Sequence, residues 1–205
     1  MSTGADTVEH EASTKGERTR ARLLELAIER FGDRGYRSTS VSEIARAAGL
    51  TQAAAYAYFD NKEALFEAAV DEDAGSLLER AHEVADGTDV HALVPTLIVT
   101  ALGLMDEHPL LRRVLMGEER DQLARLVNLP ALAELRNWIA DEVRSAQADG
   151  GARADIDPAS FADGAETMII ALLMAVVQVG STTEARRQVG VLTVWDKVLR
   201  SPSTA

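Results

Sequence analysis

The chain contains no cysteine, five prolines in 205 residues and only 4% aromatic residues. Without cysteine there is no disulfide framework and no thiolate nucleophile or metal ligand, a composition that fits the cytoplasm. The four histidines, His10, His82, His91 and His108, are scattered and match no zinc or catalytic spacing. P-loop, GxGxxG and GxSxG patterns are missing as well. No catalytic residue, metal ligand or cofactor is therefore assigned, and the chain reads as a non-enzyme. No segment resembles a signal peptide. The longest apolar run, residues 168–177, falls short of the roughly 20 residues that cross a bilayer, so a cytoplasmic protein without a membrane partner is expected.

What is present points to helix. Apolar residues make up 46% of the chain, enough for a sizeable core. Ala, Leu and Glu dominate while aromatics are few, which favours an all-α fold. Residues 1–14 are polar, acidic and aperiodic, and are expected to be a disordered tail. A first helix runs from residue 14 or 15 to Asp33, with Leu23, Ala27 and Phe31 on one face and Gly35 ending it. Asp60 or Asn61 caps a long helix carried by Leu65, Phe66, Ala69, Leu77 and Ala81 toward Ala85. Pro95 interrupts the next apolar stretch, so that helix either starts near Val94 or kinks there. Pro109 and Pro130 open further helices, the first divided around Gly117. Asp157-Pro158 is an N-cap followed by proline at the first helical position. A last helix covers residues 183–199. The total is about nine helices, with no convincing strand.

The organising stretch is residues 40–59, SVSEIARAAGLTQAAAYAYF. Ser40 and Glu43 stand at capping-box spacing. Val41, Ile44, Ala45 and Ala48 then form one apolar stripe, Gly49 suits a left-handed C-cap, and Thr51 caps a second helix at once. Two short helices around a tight glycine turn make a helix-turn-helix, whose second helix enters the DNA major groove. Ala55 and Phe59 would face inward, and Gln52 and Tyr56 outward. The charge is divided accordingly. Residues 15–60 carry eight Lys/Arg against six Asp/Glu, whereas residues 61–205 carry thirteen against twenty-four. A positive head on an acidic body suits specific DNA binding.

The frame around these helices resembles the TetR (tetracycline-repressor-like) family of bacterial transcription regulators. The matching residues are Arg22-Leu23-Leu24, Ala27, Phe31, Gly35-Tyr36, Thr39-Ser40-Val41, Ile44-Ala45, Ala48-Gly49-Leu50-Thr51, Tyr56, Tyr58-Phe59 and Lys62-Glu63-Ala64-Leu65. The resemblance covers residues 17–67. It implies a DNA-binding domain at 15–61 and a helical ligand-binding and dimerisation domain at 62–201. It further implies a homodimer on double-stranded palindromic operator DNA, released by a small-molecule effector.

By its chemistry Gln52 is the base-reading candidate, since a carboxamide can bond adenine N6 and N7 together. Thr51 and Tyr56 suit phosphate oxygens, Ala53 permits close approach or touches a thymine methyl, and Arg37, Thr39 and Ser40 add phosphate contacts. Lys62 matches a lysine that the family sets against the DNA backbone. The recognition helix has no Lys or Arg, and Asp60 stands where a basic residue is common, which shifts phosphate binding to flanking residues. Candidates for the effector site are Thr100, Met105, His108, Met116, Trp138, Thr167, Met174 and Gln178, and sparse charge there suggests a mainly apolar compound. Candidates for the dimer interface are Gly164, Ala165, Met168, Leu172, Ala175, Val176, Leu192, Trp195 and Leu199. Two other functions stay open at this point: a DNA-binding regulator without a small ligand, and a helical ligand-binding or interaction protein with little DNA affinity.

Overall fold

A computed structural model describes residues 5–179 and 198–200, with the backbone alone at 5–14, 120, 121 and 123. The described residues form nine α-helices and no strand. They are α1 (Ala5–Ser38), α2 (Val41–Ala47), α3 (Gln52–Ala55), α4 (Lys62–Ala85), α5 (Val90–Leu104), α6 (Pro109–Leu115), α7 (Arg120–Leu126), α8 (Pro130–Ala148) and α9 (Pro158–Val179). A 3₁₀ turn, Met105–Glu107, leads into α6. The all-α expectation holds. The expected last helix, 183–199, lies almost wholly outside the described residues.

Two helix boundaries differ from expectation. α1 begins at Ala5, inside the segment expected to be a tail. The stretch has no proline, and extending a helix already nucleated by packing costs little compared with starting one. α5 starts at Val90, capped by the Asp89 carboxylate on the His91 N–H (2.8 Å), and runs through Pro95. The α4 cap is Asn61, one of the two expected residues, whose side chain accepts from the Ala64 N–H at 2.8 Å. The remaining signals held: Pro109, Pro130 and Pro158 each open a helix, and the Asp157 carboxylate accepts from the Ser160 N–H and hydroxyl. Those two bonds hold the Asp157 carboxyl below the usual aspartate range.

The head core is built by α1, α2, α3 and the start of α4. Leu23, Ala27, Phe31, Ile44, Ala45 and Ala55 are buried in it, and Leu65 and Phe66 of α4 close it. Phe31 and Phe66 meet edge to face at 4.9 Å, and Tyr36 meets Phe66 at the same distance. Burying each phenylalanine contributes about 2–3 kcal/mol, and such ring pairs add roughly 1 kcal/mol. The body is dominated by α8 and α9, joined by Arg136 to the buried carboxylate of Glu166. α9 is 22 residues long and, with residues 90–107, has the length and composition of a membrane span. The apolar run read from the sequence, residues 168–177, is the later part of this helix. In this fold α9 packs against α8, α5 and α6.

Head and body meet closely where α1 ends. Gly32 lies so near Pro109 that an added Cβ would stand 2.8 Å from the proline Cβ. Gly35 breaks α1 at φ 78° and ψ 170°, and an added Cβ there would stand 2.8 Å from Glu119 Oε1. Beside it the Tyr36 N–H donates to Glu119 Oε1 at 2.8 Å, tying the head to the segment before α7. Gly35→Ala is expected to destabilise the protein by about 1–3 kcal/mol, because this backbone region is essentially restricted to glycine. Urea unfolding checks this, and an unchanged midpoint would contradict it.

Candidate nucleic-acid interface and effector cleft

The two short helices of the head owe their geometry to local hydrogen bonds. Ser40 Oγ accepts from the Glu43 N–H, and Glu43 Oε2 accepts from the Ser40 N–H, both at 3.2 Å. The Ser40 N–H and then its hydroxyl hold the Glu43 carboxyl below the usual glutamate range. At the other end Gly49 adopts φ 73°. The Leu50 N–H then bonds Ala45 O at 2.8 Å, and the Gly49 N–H bonds Arg46 O at 3.1 Å. This pair of bonds is a Schellman turn, which stops α2 sharply and aims the chain into α3. Thr51 Oγ1 accepts from the Ala54 N–H at 3.2 Å and starts α3.

Ala55 and Phe59 anchor the recognition helix in the core, while Thr51, Gln52, Ala53 and Tyr56 stand exposed on its outer side. The Gln52 amide lies 3.4 Å from Tyr56 Oη, so the two share one face. Arg37 and Ser40 are also exposed. Thr39 is the exception. It is buried, and its hydroxyl lies within bonding distance of Gly35 O (3.0 Å) and Arg30 O (3.1 Å). Its side chain therefore pins the end of α1 and is withdrawn from the phosphate-binding set. Lys62 places its ammonium 4.3 Å from the centre of the Tyr36 ring. Burial, and then Glu63, push the Tyr36 phenol above its ordinary pKa. Lys15, Arg18 and Arg22 of α1 line a surface pocket with Ala48 and Leu50 of the turn. Arg18 and Arg22 near the start of the first helix are legible in the sequence as candidate phosphate contacts, but only the fold sets them beside the turn.

A family profile described as "Bacterial regulatory proteins, tetR family" matches residues 23–69. The HTH-type transcriptional repressor KstR2 of Rhodococcus jostii (strain RHA1) is 30% identical over 142 residues, 67% of this chain and 70% of that protein. The chain belongs to the TetR family. The HTH-type transcriptional regulator UidR of Escherichia coli (strain K12) is 26% identical over 148 residues, 71% of this chain and 75% of UidR. The fold is shared with FadR from Bacillus subtilis, solved in complex with stearoyl-CoA. There the TM-score is 0.63 at 21% identity, over 88% of this chain and 99% of FadR. The protein is accordingly a DNA-binding transcriptional regulator.

In this TetR-family regulator the effector candidates do not converge. Met105 is buried in the core, Met174 and Trp138 pack against it, and Thr100 is half-buried. Met116 and Thr167 are exposed, and the Thr167 hydroxyl donates to Asp163 O at 2.9 Å. Gln178 donates to Leu115 O at 2.8 Å. Met116, Thr167 and Gln178 thus face outward or bind backbone, which corrects their assignment to an internal pocket. His108 differs. It is 4% exposed, its Nδ1 lies 2.9 Å from Asp73 Oδ1, and Asp73 Oδ2 accepts from the Leu111 N–H at 2.8 Å. Its Nε2 is buried without a partner. Both His108 and Asp73 line a cleft of about 480 Å³ between α1, α4 and the 3₁₀ turn.

The dimer candidates divide in the same way. Ala165, Leu172 and Leu199 are buried in the protomer's own core, which corrects their placement on an external face. Leu192 and Trp195 lie outside the described residues. Gly164 and Ala171 are exposed, and Met168, Ala175 and Val176 are partly exposed. Gly164, Met168, Ala171 and Ala175 follow one another at three- and four-residue steps, so they form a single stripe on α9.

Asp73→Ala would strand two buried donors, the Leu111 N–H and the His108 ring. A stability loss of roughly 3 kcal/mol is expected from two unpaired groups. Urea unfolding measures it, and a loss near zero would mean that neither bond matters to the native state.

Proposed function

We propose that the protein is a dimeric repressor that leaves a palindromic operator when a small effector binds its body. The observation carrying this reading is the recognition helix itself. It is fixed at its start by the Thr51 cap and inside by Ala55 and Phe59, and it presents Gln52 and Tyr56 outward. Gln52 reads a base, while Tyr56, Thr51, Ser40, Arg37 and Lys62 hold phosphates. The small residues Ala53 and Ala54 let the helix approach the groove floor. KstR2 is a repressor by name and FadR was solved with stearoyl-CoA, which supports repression and a small-molecule effector here. The function is exercised in the cytoplasm, where operator DNA is found.

Two protomers pair through the exposed α9 stripe, Gly164, Met168, Ala171 and Ala175. Small residues allow the paired helices to approach closely, and the dimer sets two recognition helices about 34–36 Å apart, one turn of DNA. DNA and effector favour different separations of the heads, and the coupling is reciprocal, so operator must weaken effector binding by the same factor.

Fluorescence anisotropy with DNA from the gene's own upstream region, across salt concentrations, tests the DNA reading. Gln52→Ala should lose about 1–3 kcal/mol of discrimination at one base position, and Tyr56→Ala should weaken all sequences alike. Equal affinity for operator and scrambled DNA at every salt concentration would reject it. Sedimentation velocity tests the pairing. Ala171→Glu should convert the dimer to folded monomer, and an unchanged dimer would move the interface elsewhere.

A further inference from the structure

We propose that the cleft between α1, α4 and the 3₁₀ turn is the effector site, and that it takes a small organic ammonium ion with an apolar body. This rests on the effector-controlled reading above and adds the site and the ligand class. The cleft, about 480 Å³, falls within the range of small-molecule sites. Two observations define its chemistry.

The first is the His108 ring in the cleft wall. Asp73 Oδ2 accepts from the Leu111 N–H, and Oδ1 shares one proton with His108 Nδ1; in the proposed site that proton sits on Nδ1. In the neutral ring Nε2 is then a bare lone pair, buried and unpartnered, which calls for a donor. The second is the charge around it. The lining holds five carboxylates and two guanidiniums. Within the lining Arg80 pairs with Glu107 at 2.7 Å, Glu25 pairs with Arg22 of the same helix at 2.6 Å, and Arg20 stands over the Phe59 ring at 5.1 Å. Glu72 is exposed on the rim and makes no ion pair among the described residues. A cation with N–H donors satisfies both the lone pair and Glu72, whereas an anion would meet a negative field.

The apolar part of the ligand has a surface of its own in Leu24 and Ile28 of α1. Arg20, Leu24, Glu72 and Ser76 also line a neighbouring cleft of about 740 Å³ that extends along α4 toward the start of α8, so a longer body can be accommodated. The position explains how occupancy reaches the DNA. One wall is α1, a helix of the head, and the other is the turn that feeds α6. A ligand held between them favours a head orientation different from that of the empty cleft.

The test uses full-length protein with 13C-labelled histidine, followed by NMR and calorimetry. The probes are n-hexylammonium and 2-phenylethylammonium, with hexanoate and phenylacetate as anionic counterparts and 2-phenylethanol as the neutral one. The ammonium ions should bind saturably and shift the His108 ring resonance, with the alcohol weaker and the carboxylates silent. Glu72→Gln should weaken ammonium binding roughly tenfold, and Glu83→Gln, on α4 outside the cleft, should leave it unchanged. Absence of an ammonium-induced His108 shift at millimolar concentration, indifference to Glu72→Gln, or equal binding of the carboxylates would overturn the proposal. Operator anisotropy with saturating ammonium supplies the second arm. Reduced operator affinity supports the effector role, and unchanged affinity beside clear ammonium binding overturns it. Failure of the ligand-free protein to prefer operator would reject the repressor reading, and the ammonium titration would still decide the site.

Discussion

Helix α4 belongs to two cores at once, and the rest of the molecule depends on that double packing. Its first turns supply Leu65 and Phe66 to the head, where Phe66 meets Phe31 and Tyr36. Seven residues further on, Asp73 binds the start of α6 through Leu111 and His108. That separation is two helical turns, about 10 Å. A continuous helix transmits a displacement over such a distance as a rigid body, since bending it would break internal hydrogen bonds. The Gly32–Pro109 contact and the bond from Tyr36 to Glu119 close the junction from the α1 side. A shift of the α6 segment therefore cannot be absorbed locally without moving α1 as well.

The charge distribution sets how this head can hold DNA. The recognition helix itself is uncharged, so it contributes little to non-specific affinity. In the proposed reading, counterion release falls to Lys15, Arg18, Arg22, Arg37 and Lys62, which flank it. On that proposal the flanking cations set strength and salt dependence, while Gln52 sets sequence preference. The acidic body keeps the remainder of the surface away from the polyanion.

Much of the fold was legible because its boundaries are made by local chemistry. The Ser40–Glu43 box, the Gly49 turn, the Thr51 cap and the proline-opened helices all act within a few residues. The outward face of Gln52 and Tyr56 followed from helical periodicity alone. The errors lie where side-chain direction depends on distant partners. Thr39 is polar and sits beside the motif, yet its hydroxyl turns inward to the end of α1. Ala165 and Leu172 share a helix with the exposed stripe but are buried in the core. α9 is apolar on nearly every side, so periodicity could not separate its inner face from its outer one. The cleft was the least legible feature, because its walls are drawn from residues more than eighty positions apart.

The Asp73–His108 pair is hard to explain by stability. Buried charged and polar pairs can often be replaced by apolar residues of similar size without loss, because desolvation offsets much of what the pair gains. Here the pair also leaves Nε2 without a partner, a cost that an apolar side chain would avoid. What the pair provides is specificity of arrangement: two directional bonds hold α4 to the start of α6 in one register. A ligand donor at Nε2 would satisfy the remaining atom and strengthen the bond to Asp73 by polarising the ring. The same bonds that join head to body would then respond to what occupies the cleft.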